Sequence, residues 1–143
     1  MSHPDLQSLW LQANAHVERG ELREADALCI QLIQHAPHMP MAYALLGRIC
    51  FAVGRIREAT FNAFQASQRV AGQPAGDILA VASLLVDLTE WQLAHAVLGF
   101  IDPADPANRG VLLELGRFYS TIEDQPRALD CIQRARAQGL DGA

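Results

Sequence analysis

The 143-residue chain contains no lysine. All 11 basic side chains are arginines, set against 16 acidic ones, and the net charge of −5 is interspersed along the chain. Nucleic acid is therefore not expected as a ligand, because neutralising phosphates needs clustered cations. A wholesale Arg-for-Lys shift also follows from GC-rich coding, so the shift does not mark a site. Long apolar runs are missing too. The longest, Ile78 to Val86, is broken by Ser83 and is far shorter than the roughly 20 residues of a membrane helix. The opening residues, Met1-Ser2-His3-Pro4-Asp5, lack the basic and apolar regions of a secretory signal, and the expected location is cytoplasmic.

Metal and catalytic patterns are equally scarce. Cys29, Cys50 and Cys131 lie far apart at helix positions that suit small apolar residues, so free core thiols are expected. His35 and His38 are separated by Pro37, which breaks the helix between them, and no metal site is expected. His16 reads as a packing residue, and His95 as a surface or packing one. There is no phosphate-binding glycine loop, no nucleophile elbow and no acid pair spaced for acid–base work. No enzyme activity, catalytic residue or cofactor is expected. Asp102-Pro103-Ala104-Asp105-Pro106 reads as a connector, because Asp before Pro is ordinary turn and cap chemistry.

What the chain does have is a period. Ala25, Ala59, Ala94 and Ala128 stand 34, 35 and 34 residues apart, and Ala13, Gly47, Ala82 and Gly116 repeat the same spacing. Gly20 aligns with Gly54, and Pro37 with Pro106. A period of this length signals stacked helical hairpins, each too small to bury its own apolar face.

Helical spacing supports the period. Leu6, Leu9, Ala13 and Val17 make one stripe, and Leu22, Ala25, Cys29, Leu32 and Ala36 make another. A small residue where two such helices cross allows close approach. A larger residue at Gly47 or Gly116 is expected to overpack the crossing by about 1–3 kcal/mol. Pro40 and Pro106 suit first turns, Gly20 and Gly54 suit helix ends, and Thr89 with Gln92 suggests a capping box. These signals predict helices near 5–18, 22–35, 41–53, 56–70, 77–88, 90–101, 107–121 and 125–138. An apolar share of 50% with 6% aromatics fits helices packed through Ala and Leu.

The second copy carries Tyr43, Leu46, Gly47, Gly54, Ala59 and Ala66, and the fourth carries Leu115, Gly116, Tyr119, Ala128 and Ala135. The first has Ala13, Gly20, Ala25 and Pro37. The third keeps Ala82, Ala94 and Pro106 but has Thr89 in place of the turn glycine. With these residues the chain resembles the tetratricopeptide repeat family. The resemblance implies a single all-α domain over 1–143, with repeats near 6–39, 40–74, 75–108 and 109–142. It also implies about eight helices in antiparallel hairpins, wound as a right-handed superhelical solenoid.

In that family the first helices of the hairpins line a concave groove that holds a partner's peptide or helix. The residues expected to point into it are Asn14, Arg48, Ser83 and Arg117. Trp10, Ala44, Leu79 and Leu113 stand one turn earlier, and Val17, Phe51, Val86 and Ser120 about one turn later. The expected partner is another protein, bringing apolar anchors and one or two carboxylates. Trp10, Ala44, Leu79 and Leu113 are apolar where the family's terminal-carboxylate clamp has lysines, which argues against that ligand type. The resemblance thus implies a non-catalytic, bacterial interaction module acting as adaptor, assembly factor or chaperone-like holder. The alternatives are the N-terminal arm of a larger enzyme, such as a sulfotransferase or glycosyltransferase, or a protein like the type III secretion chaperones. The sequence after Leu129, Ile132 and Ala135 runs out as Gln138-Gly139-Leu140-Asp141-Gly142-Ala143 without a polar capping helix. A second copy of the chain, a partner or a downstream domain is expected to cover that face.

Overall fold

The computed structural model describes residues 5–139. Among these residues there are eight α-helices, one 3-10 helix and no strand. The helices pair as hairpins: α1 (Leu6–Glu18) with α2 (Leu22–His35), α3 (Pro40–Ala52) with α4 (Ile56–Ser67), α5 (Ala75–Asp87) with α6 (Trp91–Leu98), and α7 (Leu112–Thr121) with α8 (Gln125–Ala137). The chain groups into two compact units, the first ending at Arg69 and the second beginning at Val70. Each unit holds two hairpins.

The hairpin turns are four copies of one motif. In the first, the Gly20 amide donates to the Val17 carbonyl at 3.0 Å and the Glu21 amide to the His16 carbonyl at 2.8 Å. The same pair of bonds closes the turns at Gly54 and Arg55, at Thr89 and Glu90, and at Glu123 and Asp124. This is the Schellman arrangement, which satisfies the last carbonyls of the incoming helix and needs a left-handed residue at its centre. The next helix then starts at once, and the amides of Ala25, Ala59, Ala94 and Ala128 donate to the carbonyls of Glu21, Arg55, Glu90 and Asp124.

Two of the four left-handed positions are not glycine. Thr89 sits at φ 59° and Glu123 at φ 66°, against 76° at Gly20 and 83° at Gly54. This corrects the expected capping box. Thr89 precedes the cap of α6, its hydroxyl donates to the Leu88 carbonyl at 2.6 Å, and the cap itself, Glu90, makes no side-chain bond. A left-handed residue with a Cβ is strained by roughly 1–2 kcal/mol, most severely when β-branched. Glycine returns part of that gain as unfolded-chain entropy. Thr89→Gly is thus expected to stabilise by up to about 1 kcal/mol, and Glu123→Gly by less. Thermal unfolding midpoints check this, and a lowered midpoint for Thr89→Gly would show that the Leu88 bond outweighs the strain.

Helix ends elsewhere follow their sequence signals. Pro40 opens α3, and Asp5 caps α1 by accepting from the Gln7 and Ser8 amides. The α6 helix stops at Leu98, earlier than its apolar spacing suggests, and Asp102 and Asp105 then organise the connector by accepting from the amides of Ala104 and Ala107. That connector enters α7 through the 3-10 helix Pro106–Val111.

In the first unit Ala13, Ala25, Cys29, Leu45 and Ile49 form a buried cluster, with Trp10, Val17, Leu22, Leu28 and Leu46 packed against it. The Pro37 carbonyl accepts from the Tyr43 hydroxyl and from Arg69 Nε, while the Arg69 guanidinium stacks over the Tyr43 ring at 4.5 Å. In the second unit Leu84, Leu85, Leu98, Leu112 and Leu115 are fully buried. Cys29, Cys50 and Cys131 are free and buried, and desolvation pushes the Cys29 thiol up to about 12. Such a thiol is unreactive near neutral pH. Among the described residues no helix is long and apolar enough to cross a membrane. The last four residues of the chain, part of the segment expected to need a cover, lie outside the described residues.

Candidate functional site

The residues expected to face a ligand fall into three groups. Arg48, Ser83 and Arg117 are exposed, each one residue past the small residue of its helix. Neither Arg48 nor Arg117 forms an ion pair among the described residues, so both guanidinium forks are unoccupied. Phe51 is also exposed, one turn beyond Arg48 on α3.

The second group is half-buried. Trp10 and Val17 pack against the first unit's core, and Asn14 is partly buried between them. The Asn14 side-chain amide donates to the Trp10 carbonyl at 2.9 Å, which ties one of its two N–H groups to its own helix. In the second unit Leu113 and Val86 are half-buried. Leu79 and Ala44 make the third group and correct the expectation for their positions. They are only 3% and 2% exposed and belong to the core rather than to a binding face.

A polar network that the sequence did not suggest joins the two hairpins of the second unit. His95 on α6 hydrogen-bonds through Nε2 to Asp124 Oδ2 at 2.8 Å, and Arg127 Nη1 reaches the same oxygen at 2.8 Å. Asp124 also caps α8 by accepting from the Arg127 amide, and the His95 ring meets Tyr119 edge-on at 5.9 Å. Since the partners lie 29 residues apart in sequence, neither spacing nor composition signals the contact. His16 behaves differently from the packing role expected of it, with Nδ1 hydrogen-bonded to Glu21 at 3.1 Å.

No family model matches the chain, and no curated protein matches it either. A solved structure does: the "MamA RS-1 ArsTM double mutant" aligns at a TM-score of 0.61 and 18% identity, covering 99% of this chain and 78% of that one. MamA is a tetratricopeptide-repeat protein. The fold of this chain is tetratricopeptide-like. At this identity the likeness concerns the fold alone.

Within that tetratricopeptide-like fold, the shared carboxylate of Asp124 is an acid-sensitive link. Its hydrogen bonds from His95 and then Arg127 hold the carboxyl down to about 2, below the usual aspartate value of 3.8. A carboxyl depressed in the folded state stabilises fully above its unfolded value and loses that effect as pH falls through its folded one. The urea midpoint difference between wild type and Asp124→Asn is thus expected to be largest above pH 4 and to shrink towards pH 2. A difference that stays constant across that window would rule the link out.

Proposed function

We propose that this chain is a non-catalytic protein-interaction module that holds a partner's peptide or amphipathic helix against the exposed faces of its first helices. One observation carries the reading. Arg48 on α3 and Arg117 on α7 occupy the same position of their hairpins, and both are exposed without an ion-pair partner among the described residues. Around them stand Phe51 on the same helix in one unit, and half-buried Leu113 with exposed Ser120 in the other. An apolar surface bearing a free guanidinium suits a segment that brings an apolar anchor and a carboxylate, which Arg binds in bidentate fashion. The likeness in fold to MamA supports an interaction module, while MamA's own partners carry no weight here.

The test compares the wild-type chain with an Arg48→Glu, Arg117→Glu double variant as affinity baits in lysate of the source cell. Helix content and melting temperature are expected to stay within error of wild type, because both side chains are exposed and make no ion pair among the described residues. A protein retained by the wild type and lost by the folded variant supports the proposal. Equal retention by both moves the interface off the first-helix faces. A double variant that fails to fold would make the two arginines structural.

A further inference from the structure

A cavity of about 350 Å³ opens within the second unit, between the end of α6, the connector that follows it and the α7–α8 hairpin. Gly99, Ile101, Pro103 and Cys131 give it an apolar wall, and Tyr119, Asp102, Asp130 and Arg127 give it polar groups. Tyr119 is only 4% exposed, yet its hydroxyl makes no hydrogen bond among the described residues. Tyr43, by contrast, donates to the Pro37 carbonyl. No fully enclosed side-chain oxygen or nitrogen among the described residues lacks a partner, so the small exposed part of Tyr119 includes its hydroxyl, which opens into the cavity. A buried polar group without a protein partner is costly, and one facing a cavity is available to a ligand.

The charges around this hydroxyl do not cancel. Arg127 is held by Asp124 at 2.8 Å, a carboxylate that His95 shares, and Asp130 is held by Arg134 at 3.0 Å. Asp102 makes no ion pair among the described residues, and its Oδ1 accepts from the Ala104 amide at 2.9 Å. Burial raises both the Tyr119 hydroxyl and the Cys131 thiol, so each is neutral near pH 7. One uncompensated negative charge remains. Gly99 and Ile101 add carbonyls that accept no hydrogen bond among the described residues. The carboxylates also discriminate between cations. Each has one oxygen engaged, Asp102 Oδ1 by the Ala104 amide and Asp130 Oδ2 by Arg134 Nε, so neither presents the open pair that a guanidinium fork needs. Single acceptors suit the separate N–H donors of an ammonium group.

We infer that this cavity binds a lysine side chain of a partner protein. The four-carbon stem lies along Ile101, Pro103 and Cys131, and the ammonium donates to the Tyr119 hydroxyl oxygen and to the remaining oxygens of Asp102 and Asp130. The volume, at the small end of ligand cavities, holds one such side chain. A second copy of this chain cannot supply it, because the chain has no lysine. The site uses Tyr119, Asp102 and Asp130 rather than Arg48 and Arg117, so it goes beyond the first-helix reading and stands or falls separately from it.

Nuclear magnetic resonance titration of the full chain at about pH 7.5, above the ordinary imidazole range, tests the inference. The probes are N-acetyl-lysine N-methylamide, its norleucine and arginine counterparts, and putrescine. The lysine probe is expected to shift amide signals of residues 99–102, 119 and 127–131. Norleucine keeps the stem without the ammonium, and Asp102→Asn keeps an oxygen for the Ala104 amide without the charge; each is expected to weaken binding about tenfold. Tyr119→Phe is expected to weaken it roughly twofold to tenfold without lowering the melting temperature, because the lost hydroxyl has no protein partner. Arg117→Glu should leave the titration unchanged. Equal binding of the lysine and norleucine probes, arginine bound as tightly as lysine, or shifts confined to other residues would each overturn the inference. A lowered melting temperature for Tyr119→Phe would do so by making the hydroxyl structural, and tighter binding of putrescine by assigning the cavity to a free diamine.

Discussion

Leu45→Ala is expected to lower stability by about 2–5 kcal/mol, the range for truncating a fully buried leucine. Leu45 is 1% exposed at the centre of the first unit's cluster, and the position within that range depends on whether the surroundings can close the hole. Its buried neighbours there include Ala13, Ala25 and Cys29, whose side chains are too short to swing into the space. The backbone around it is also fixed, since the crossings beside it already bring helices close through those small residues. A loss in the upper half of the range follows. Leu46, only partly buried at the edge of the cluster, should cost clearly less when cut to Ala. Urea unfolding of both variants gives the comparison. Equal losses, or a loss below about 1 kcal/mol for Leu45→Ala, would mean that the cluster repacks and that small residues do not lock it.

The same small residues made the fold legible. Ala25, Ala59, Ala94 and Ala128 recur because each occupies one structural position, the first fully buried residue of a second helix, four residues past the turn. The turns were half legible. Glycine marks the left-handed position at Gly20 and Gly54, but Thr89 and Glu123 adopt the same backbone because the paired helices fix the length of the connection. Where helix geometry forces the conformation, residue preference is overruled, and Thr-x-x-Gln one residue too early reads falsely as a capping box. The end of α6 was misjudged for a related reason. Ile101 is buried as a helical residue would be, yet it reaches the core from an irregular segment that precedes Pro103.

The face proposed for binding was legible only by half. Taking the residue after each small crossing residue picked out exposed Arg48, Ser83 and Arg117 as surface positions, whereas Asn14, chosen by the same rule, is half-buried. Extending the face one turn back picked out Trp10, Ala44, Leu79 and Leu113, which are half-buried or buried. The reason is helical geometry. Leu79 precedes Ala82 by three residues and Trp10 precedes Ala13 by three, so each lies on the stripe of the crossing residue itself. The cavity beside Tyr119 was hidden for a different reason. It is assembled from the end of α6, the connector after it and residues of α7 and α8, and no single stripe contains it.

Gly116→Val is expected to destabilise by about 1–3 kcal/mol, while Gly116→Ala stays within about 1 kcal/mol of wild type. A Cβ at Gly116 would lie 3.3 Å from Ile132 Cγ1 and 3.4 Å from both the Ala128 carbonyl oxygen and Cys131 Cβ. One methyl therefore asks its neighbours to move by a few tenths of an ångström, and the better helix propensity of Ala, worth up to about 1 kcal/mol, offsets that strain. Valine adds two γ-carbons whose rotamers are restricted in a helix, so they cannot all turn away from α8. The backbone oxygen of Ala128 cannot yield as a side chain can, and α7 must move off α8. Buried Tyr119 and Cys131 belong to the same packing and would lose contact with it. Ile132→Ala, which removes the nearest obstacle, should recover part of the loss in the Gly116→Val background while costing stability alone. That pattern gives a coupling of about 0.5–3 kcal/mol in a double-mutant cycle. Strictly additive effects, or a valine variant as stable as the alanine one, would show that the α7–α8 crossing is looser than these distances require.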